Sequence, residues 1–211
     1  MFSRLQPTAA NGPLLLADVS GYTSFLQAVA EAHRDDAFAD GAVPEAYALM
    51  ASLLDGIVGR IVPPFTLSKL EGDAVFAFAT ADAEVPHAEA LLDCIRGCYA
   101  DFRSRLGQAG EIWTCTCHAC ARVNGLDLKF VLHAGRYVVQ EIAGSRELSG
   151  PNVVMAHRLL KSSAGELTGH GAYALLTAAA VQDLDVPVDE AIPFAETHDG
   201  SPISGFVFAL R

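Results

Sequence analysis

Apolar positions along this chain repeat with two periods, and the switches between them mark out its elements. Leu14-Leu-Leu-Ala17 is an unbroken apolar run that ends on Asp18 and then on Ser20-Gly21. Such a run predicts a fully buried strand that delivers a carboxylate at its C-terminal end. A helix is expected from about Ser20 to His33, with Phe25, Leu26 and Val29 on one stripe. After a polar loop over 34–41, Pro44 opens a second helix at its N1 position. Tyr47, Met50, Leu53, Leu54, Ile57 and Val58 form its apolar face, and Val62-Pro-Pro ends it. Strands over 65–70 and 74–79 flank Gly72-Asp73 like the arms of a hairpin. A long helix over 83–106 follows, carrying Leu91, Leu92, Ile95, Tyr99 and Phe102. Residues 107–125 read as irregular. Residues 126–133 read as a strand that turns at Ala134-Gly135 into an antiparallel continuation over 136–142. A helix from Asn152 to about Ser162 and short strands over 173–177, 192–196 and 206–210 complete the chain. This order predicts an α+β sandwich, helices covering one face of a mostly antiparallel sheet.

Composition narrows the class. The chain has 211 residues, 51% of them hydrophobic, enough for one domain with a full core. Residues 1–12 read as a loose lead-in and 13–211 as a single domain with a Cys-rich insert at about 107–125. A formal net charge of −11 argues against nucleic acid as a partner, because the phosphate backbone needs a basic face. No apolar run reaches the ~20 residues that span a bilayer, and the first residues lack a signal-peptide pattern. Five cysteines, an odd number, then point to reduced thiols and a cytoplasmic location.

Asp18 and Asp73 are the candidate chemistry. Each follows or precedes a buried strand, and an unpaired buried carboxylate is costly, so each needs a partner or a ligand. Either Asp alone reads as an ordinary turn residue beside glycine. Two acidic tips on neighbouring strands suit a divalent cation that holds a phosphate.

At these residues the chain resembles the class III nucleotide cyclases. Leu16 to Thr23 matches that family's Phe/Leu-Ala-Asp-Ile/Val-x-Gly-Phe/Tyr-Thr signature, and Lys69 to Phe78 matches Lys-x-x-Gly-Asp followed by an apolar strand. Leu128 to Gly135 is similar to its strand ending in His-x-Gly, and Gly150 to Leu159 to its Gly-x-x-Val-Asn-x-Ala-x-Arg helix. The four patches occur in family order over residues 13–165. Within the family, the resemblance is to a cyclase-like branch without an established activity. It implies a ferredoxin-like core with its catalytic face at a homodimer interface. It implies that Asp18, Asp73 and the carbonyl of Val19 hold Mg²⁺ or Mn²⁺. It also implies that Lys69 contacts the base of a nucleoside triphosphate, ATP rather than GTP, with Glu147 as companion, and that Arg158 steadies the α-phosphate. The expected activity is conversion of ATP to cyclic AMP. His133 is expected to pack at a strand end, and His157 at the surface or an interface.

One departure weighs against turnover. The family asparagine four residues before the arginine is Val154 here, and a valine cannot hydrogen-bond a ribose. Asn152 would face another direction on a helix. A non-catalytic nucleotide-sensing or interaction module is therefore the alternative reading. Cys115, Cys117 and Cys120 lie in the insert, and Cys94 and Cys98 lie one helical turn apart before it. Cys117-x-x-Cys120 has the spacing of half a zinc site, to be completed by two of Cys94, Cys98 and Cys115. Buried packing and a Cys117/Cys120 redox pair are the other readings of these thiols.

Overall fold

The computed structural model describes residues 6–35, 41–169, 171–198 and 200–211, and for 110–112 the backbone only. Residues 1–5 of the expected lead-in and 36–40 of the expected loop lie outside the described residues. Strand β1 (Thr8–Ser20) leads into helix α1 (Tyr22–Ala32), and α2 (Glu45–Ile61) follows with Pro44 as its N-cap. The hairpin forms as β2 (Thr66–Glu71) and β3 (Ala74–Phe78). Helix α3 (Ala88–Ile112) precedes a 3₁₀ turn over Cys120–Gly125, then come β4 (Asp127–Ile142), β5 (Ser145–Ser149), α4 (Pro151–Leu159) and α5 (Ala164–Thr168). The chain ends with β6 (Tyr173–Thr177), α6 (Ala178–Asp183), β7 (Ile192–His198) and β8 (Ser201–Ala209). Among the described residues no helix is long and apolar enough to cross a membrane.

The sheet runs in the order β2-β3-β1-β4-β6-β8-β7, with β5 on the outer half of β4, and among the described residues only the β4–β6 pairing is parallel. Strand β1 is its axis. It pairs with β3 over Leu14 to Asp18 and with β4 over its whole length, Thr8 against Val139 through Ser20 against Asp127.

Two expectations change here. The stretch read as a lead-in already belongs to β1 from Thr8 onward. The turn expected at Ala134-Gly135 does not exist, because β4 passes through it as one strand of 16 residues. Gly135 serves another purpose: a Cβ there would come within 2.5 Å of the Asn152 amide, so the glycine makes room for that side chain. The actual reversal comes later, at Ala143-Gly144, both with positive φ.

Alternation along β1 divides the core in two. Leu15, Ala17 and Val19 point into the larger cluster, with Phe25, Val29, Leu53, Ile57, Leu91 and Phe102 of α1, α2 and α3. Leu14 and Leu16 point the other way, towards Phe76, Val131, Val153, Ala156 and Leu159. Helices α1, α2, α3 and α6 thus cover one face of the sheet, while α4 and α5 pack on the other. By the same period of two, Asp18 emerges on the α4 face.

Candidate functional site

The end of β1 gathers the predicted residues. Asp18 lies opposite Ala74, and the backbone N–H of Val19 donates to the carbonyl of Asp73 at 3.1 Å, so the two acidic tips sit side by side. Burial, then the negative charge of Asp18, raises the pKa of the Asp73 carboxyl above the usual carboxylate value. Like charges held together in this way favour a cation between them.

A cation is already present, from a residue the sequence reading passed over. Lys129 is the cross-strand partner of Asp18 on β4, and its Nζ lies 3.0 Å from Asp18 Oδ2. The two side chains are only 20% and 16% exposed. Lys129 also donates to the carbonyl of Leu160 at 3.0 Å, which ties β4 to the end of α4. The alternation of Leu128, Phe130 and Leu132 into the large core places Lys129 on the α4 face. That signal was legible, but its meaning depended on register with β1.

The same face carries Arg158. A cavity of about 630 Å³ is lined by Asp18 and Lys129 on the sheet and by Val154, His157, Arg158 and Lys161 at the end of α4. Three cations and one carboxylate around an open cavity suit a polyanion better than a neutral ligand. Val154 is 49% exposed on this wall. Asn152 does not replace the missing family asparagine. Its Nδ2 donates to the Arg136 carbonyl at 2.8 Å, and its Oδ1 accepts from His133 Nε2 at 3.0 Å.

His133 is buried in mid-strand rather than at a strand end, because β4 continues beyond it. Its Nδ1 faces the Thr177 hydroxyl at 3.0 Å, and that hydroxyl also accepts the N–H of Ala180. The network is consistent with a neutral ring carrying its proton on Nε2. Burial lowers the pKa of this histidine, so the ring stays uncharged. This is a packing role.

Lys69 of β2 and Glu147 of β5, the expected base-contacting pair, meet at 2.7 Å although their strands do not pair. Lys69 also approaches Glu71 at 3.4 Å, and the hydrogen bond to Glu147 is the main reason its ammonium holds its proton more tightly than usual. Glu71 in turn accepts from His157 Nε2 at 2.7 Å, while His157 Nδ1 donates to the Val153 carbonyl at 2.7 Å. Both ring nitrogens of His157 thus face an oxygen. The chain Glu147–Lys69–Glu71–His157 therefore links the hairpin and β5 to the helix that carries Arg158.

The cysteines divide. Cys115, Cys117 and Cys120 converge, and the fourth member of their group is His33, at the C-terminal end of α1. The sequence reading missed His33 because it lies more than eighty residues away in the chain. Cys94 and Cys98 stay on α3, apart from the group. Cys94 points to the Arg60 carbonyl at 3.9 Å, and burial pushes the Cys98 thiol up to about 12.

Comparisons with known proteins bear on the family and the fold. The family described as "Protein of unknown function (DUF2652)" matches residues 50–166. An uncharacterized protein, Rv2561/Rv2562, of Mycobacterium tuberculosis is 32% identical over 153 residues, covering 71% of this chain and 66% of that protein. Among solved structures, the adenylyl cyclase CyaB from P. aeruginosa superposes with a TM-score of 0.67 at 13% identity, covering 98% of both chains. The guanylyl cyclase Cya2 gives 0.67 at 14% identity, covering 98% of this chain and 96% of its own. A bacterial light-regulated adenylyl cyclase gives 0.65 at 16% identity, covering 97% of this chain and 52% of its own.

Proposed function

Because the chain belongs to the family described as "Protein of unknown function (DUF2652)" and has the fold of the class III adenylyl and guanylyl cyclases, we propose that it binds a nucleoside triphosphate with Mg²⁺ or Mn²⁺ and converts ATP to 3′,5′-cyclic AMP and pyrophosphate. The observation that carries this reading is the juxtaposition of Asp18 and Asp73 with Lys129, beside a cavity that Arg158 also lines. The donor set fits the ion: hard carboxylate oxygens suit Mg²⁺ and Mn²⁺. Such an ion, held by Asp18, Asp73 and the Val19 carbonyl, would lower the pKa of the ribose 3′-hydroxyl and offset phosphate charge.

The chain's own residues supply the rest. Lys129 is paired with Asp18, and an arriving triphosphate gives its ammonium an alternative anion. Arg158 presents forked donors to a phosphate group and keeps its charge throughout. In the reaction the 3′-oxygen forms a bond to the α-phosphorus as the bond to the pyrophosphate oxygen breaks. The hydroxyl proton leaves to solvent. Lys69 and Glu147, a donor and an acceptor now bonded to each other at 2.7 Å, are the groups that would exchange that bond for the edge of an adenine. A homodimer is part of the proposal, with the carboxylates of one protomer facing Arg158 of the other; the competing arrangement is a site within one chain, where Asp18 and Arg158 line one cavity.

Turnover is expected to be slow, because Val154 cannot hold the ribose and Asn152 is bonded to His133 and Arg136. This observation favours a second reading, a nucleotide-sensing module that binds without cyclising. The experiment is incubation of the purified protein with Mn-ATP and Mn-GTP in parallel, with products separated chromatographically. Cyclic AMP in excess over cyclic GMP supports the enzyme. Tight binding without any cyclic product leaves the sensing module.

A further inference from the structure

The structure holds a second place suited to a metal, unrelated to the carboxylates. His33 Nε2 lies 3.5 Å from Cys115 Sγ, 3.3 Å from Cys117 Sγ and 3.5 Å from Cys120 Sγ. All four ligand atoms lie within 4.8 Å of one another. Tetrahedral Zn²⁺, with Zn–S near 2.3 Å and Zn–N near 2.0 Å, separates its nitrogen and sulfur ligands by about 3.5 Å. We propose that His33, Cys115, Cys117 and Cys120 form a structural Zn²⁺ site that fastens the C-terminal end of α1 to the segment between α3 and β4.

Several observations support one closed site. The Cys117-x-x-Cys120 pair is placed by the 3₁₀ turn that begins at Cys120, and the backbone N–H of Cys120 points at Cys117 Sγ at 3.3 Å. An N–H directed at sulfur stabilises a thiolate ligand and fixes its orientation. The group is also backed by apolar packing. Phe25 of α1 meets Trp113 edge-on at 6.4 Å, and Val123 and Leu126 are buried beneath the turn. Four ligands fill the tetrahedron, leaving no open position for a substrate, which is the mark of a structural site. The ion would join two elements far apart in sequence. Helix α1 begins directly after the Asp18 strand end, so the ion fixes the far end of the element that leaves the carboxylate site. The zinc proposal does not depend on nucleotide binding.

Elemental analysis of full-length protein purified without added zinc tests the assignment. About one zinc per chain is expected. Cys120→Ser should lower bound zinc at least about fivefold, whereas Cys94→Ser and Cys98→Ala should leave it unchanged. Reconstitution with Co²⁺ should give the intense visible absorption of a tetrahedral thiolate complex. If His33→Ala fails to fold, His33→Cys restores four ligands, and it should keep the metal while shifting that absorption. A metal-free protein that takes up neither Zn²⁺ nor Co²⁺ overturns the proposal. So does a Cys117–Cys120 disulfide in freshly purified protein, or loss of zinc in Cys94→Ser as complete as in Cys120→Ser.

Discussion

The two metal-suited regions of this molecule differ in what already occupies them. At the end of β1, Asp18 and Asp73 share their surroundings with an internal cation, Lys129, 3.0 Å from Asp18. Between α1 and the insert, three sulfurs and an imidazole converge, their four ligand atoms within 4.8 Å of one another. In the first arrangement the ammonium offsets the charge of Asp18. The second gains most of its cohesion from the ion. A divalent ion at the carboxylates must compete with Lys129, so it is expected to arrive with a polyphosphate that gives the lysine another partner. A zinc ion at the thiolates is expected to bind during folding and to stay. One region is built for exchange and the other for permanence.

Four experiments follow from this contrast. The largest effect belongs to the thiolates. Cys117→Ser, or stripping the ion with a strong chelator, should lower Tm by about 10 °C or more, read by thermal denaturation with and without zinc. A shift under about 2 °C would mean that packing alone closes the seam.

Next come the groups assigned to the nucleotide. Asp73→Asn and Arg158→Ala should each reduce cyclase activity by about a hundredfold or more. A mixture of the two variants should regain activity, because one face of the mixed dimer would pair an intact Asp73 with an intact Arg158. In a single chain Asp18 and Arg158 line one cavity. No recovery on mixing, with a monomer by light scattering, would mean that each chain is self-sufficient.

The third experiment removes the resident cation. Lys129→Met should destabilise the metal-free protein by about 1–3 kcal/mol, since it leaves the largely buried Asp18 without this partner. In that variant Mn²⁺ alone should raise Tm more than it does in the wild type. Equal shifts would mean that Lys129 does not compete for the site.

The smallest effect is a pH dependence. The folded-state pKa of Asp73 is raised, mainly by burial and then by Asp18. A raised acid contributes stability below its ordinary pKa, and that contribution is lost as pH rises through the folded-state value. Charged Asp73 therefore costs stability at neutral pH. Asp73→Asn should raise the Tm of metal-free protein by about 2 °C at pH 7, with the gain vanishing near pH 4.

How much of this was legible in the sequence depends on how locally it was encoded. The strand ending at Asp18, the hairpin carrying Asp73 and the helix carrying Arg158 each have a short signature, and each appears in the structure near its expected position. The α+β class and the cyclase-like core followed from the order of those patches. Gly135 misled because glycine after a strand ordinarily means a turn, whereas here it accommodates Asn152 from another element. Lys129 was visible as a polar residue in an apolar strand, but only the β1–β4 register shows that it faces Asp18. His33 had no local signal at all. A lone histidine at a helix end gains meaning only when folding carries it to three cysteines from a distant segment. The Lys69–Glu147 pair shows the opposite case, two residues named from motif position that the strands bring to 2.7 Å.

The central claim is that Asp18 and Asp73 hold a divalent ion together with a nucleoside triphosphate. It is tested most directly by calorimetric titration of a non-hydrolysable ATP analogue in the presence of Mn²⁺, into wild type and into Asp73→Asn. The account predicts saturable binding to the wild type, at least about tenfold weaker in the variant and lost when Mn²⁺ is withheld. Equal affinity in both proteins, or binding indifferent to Mn²⁺, would contradict it.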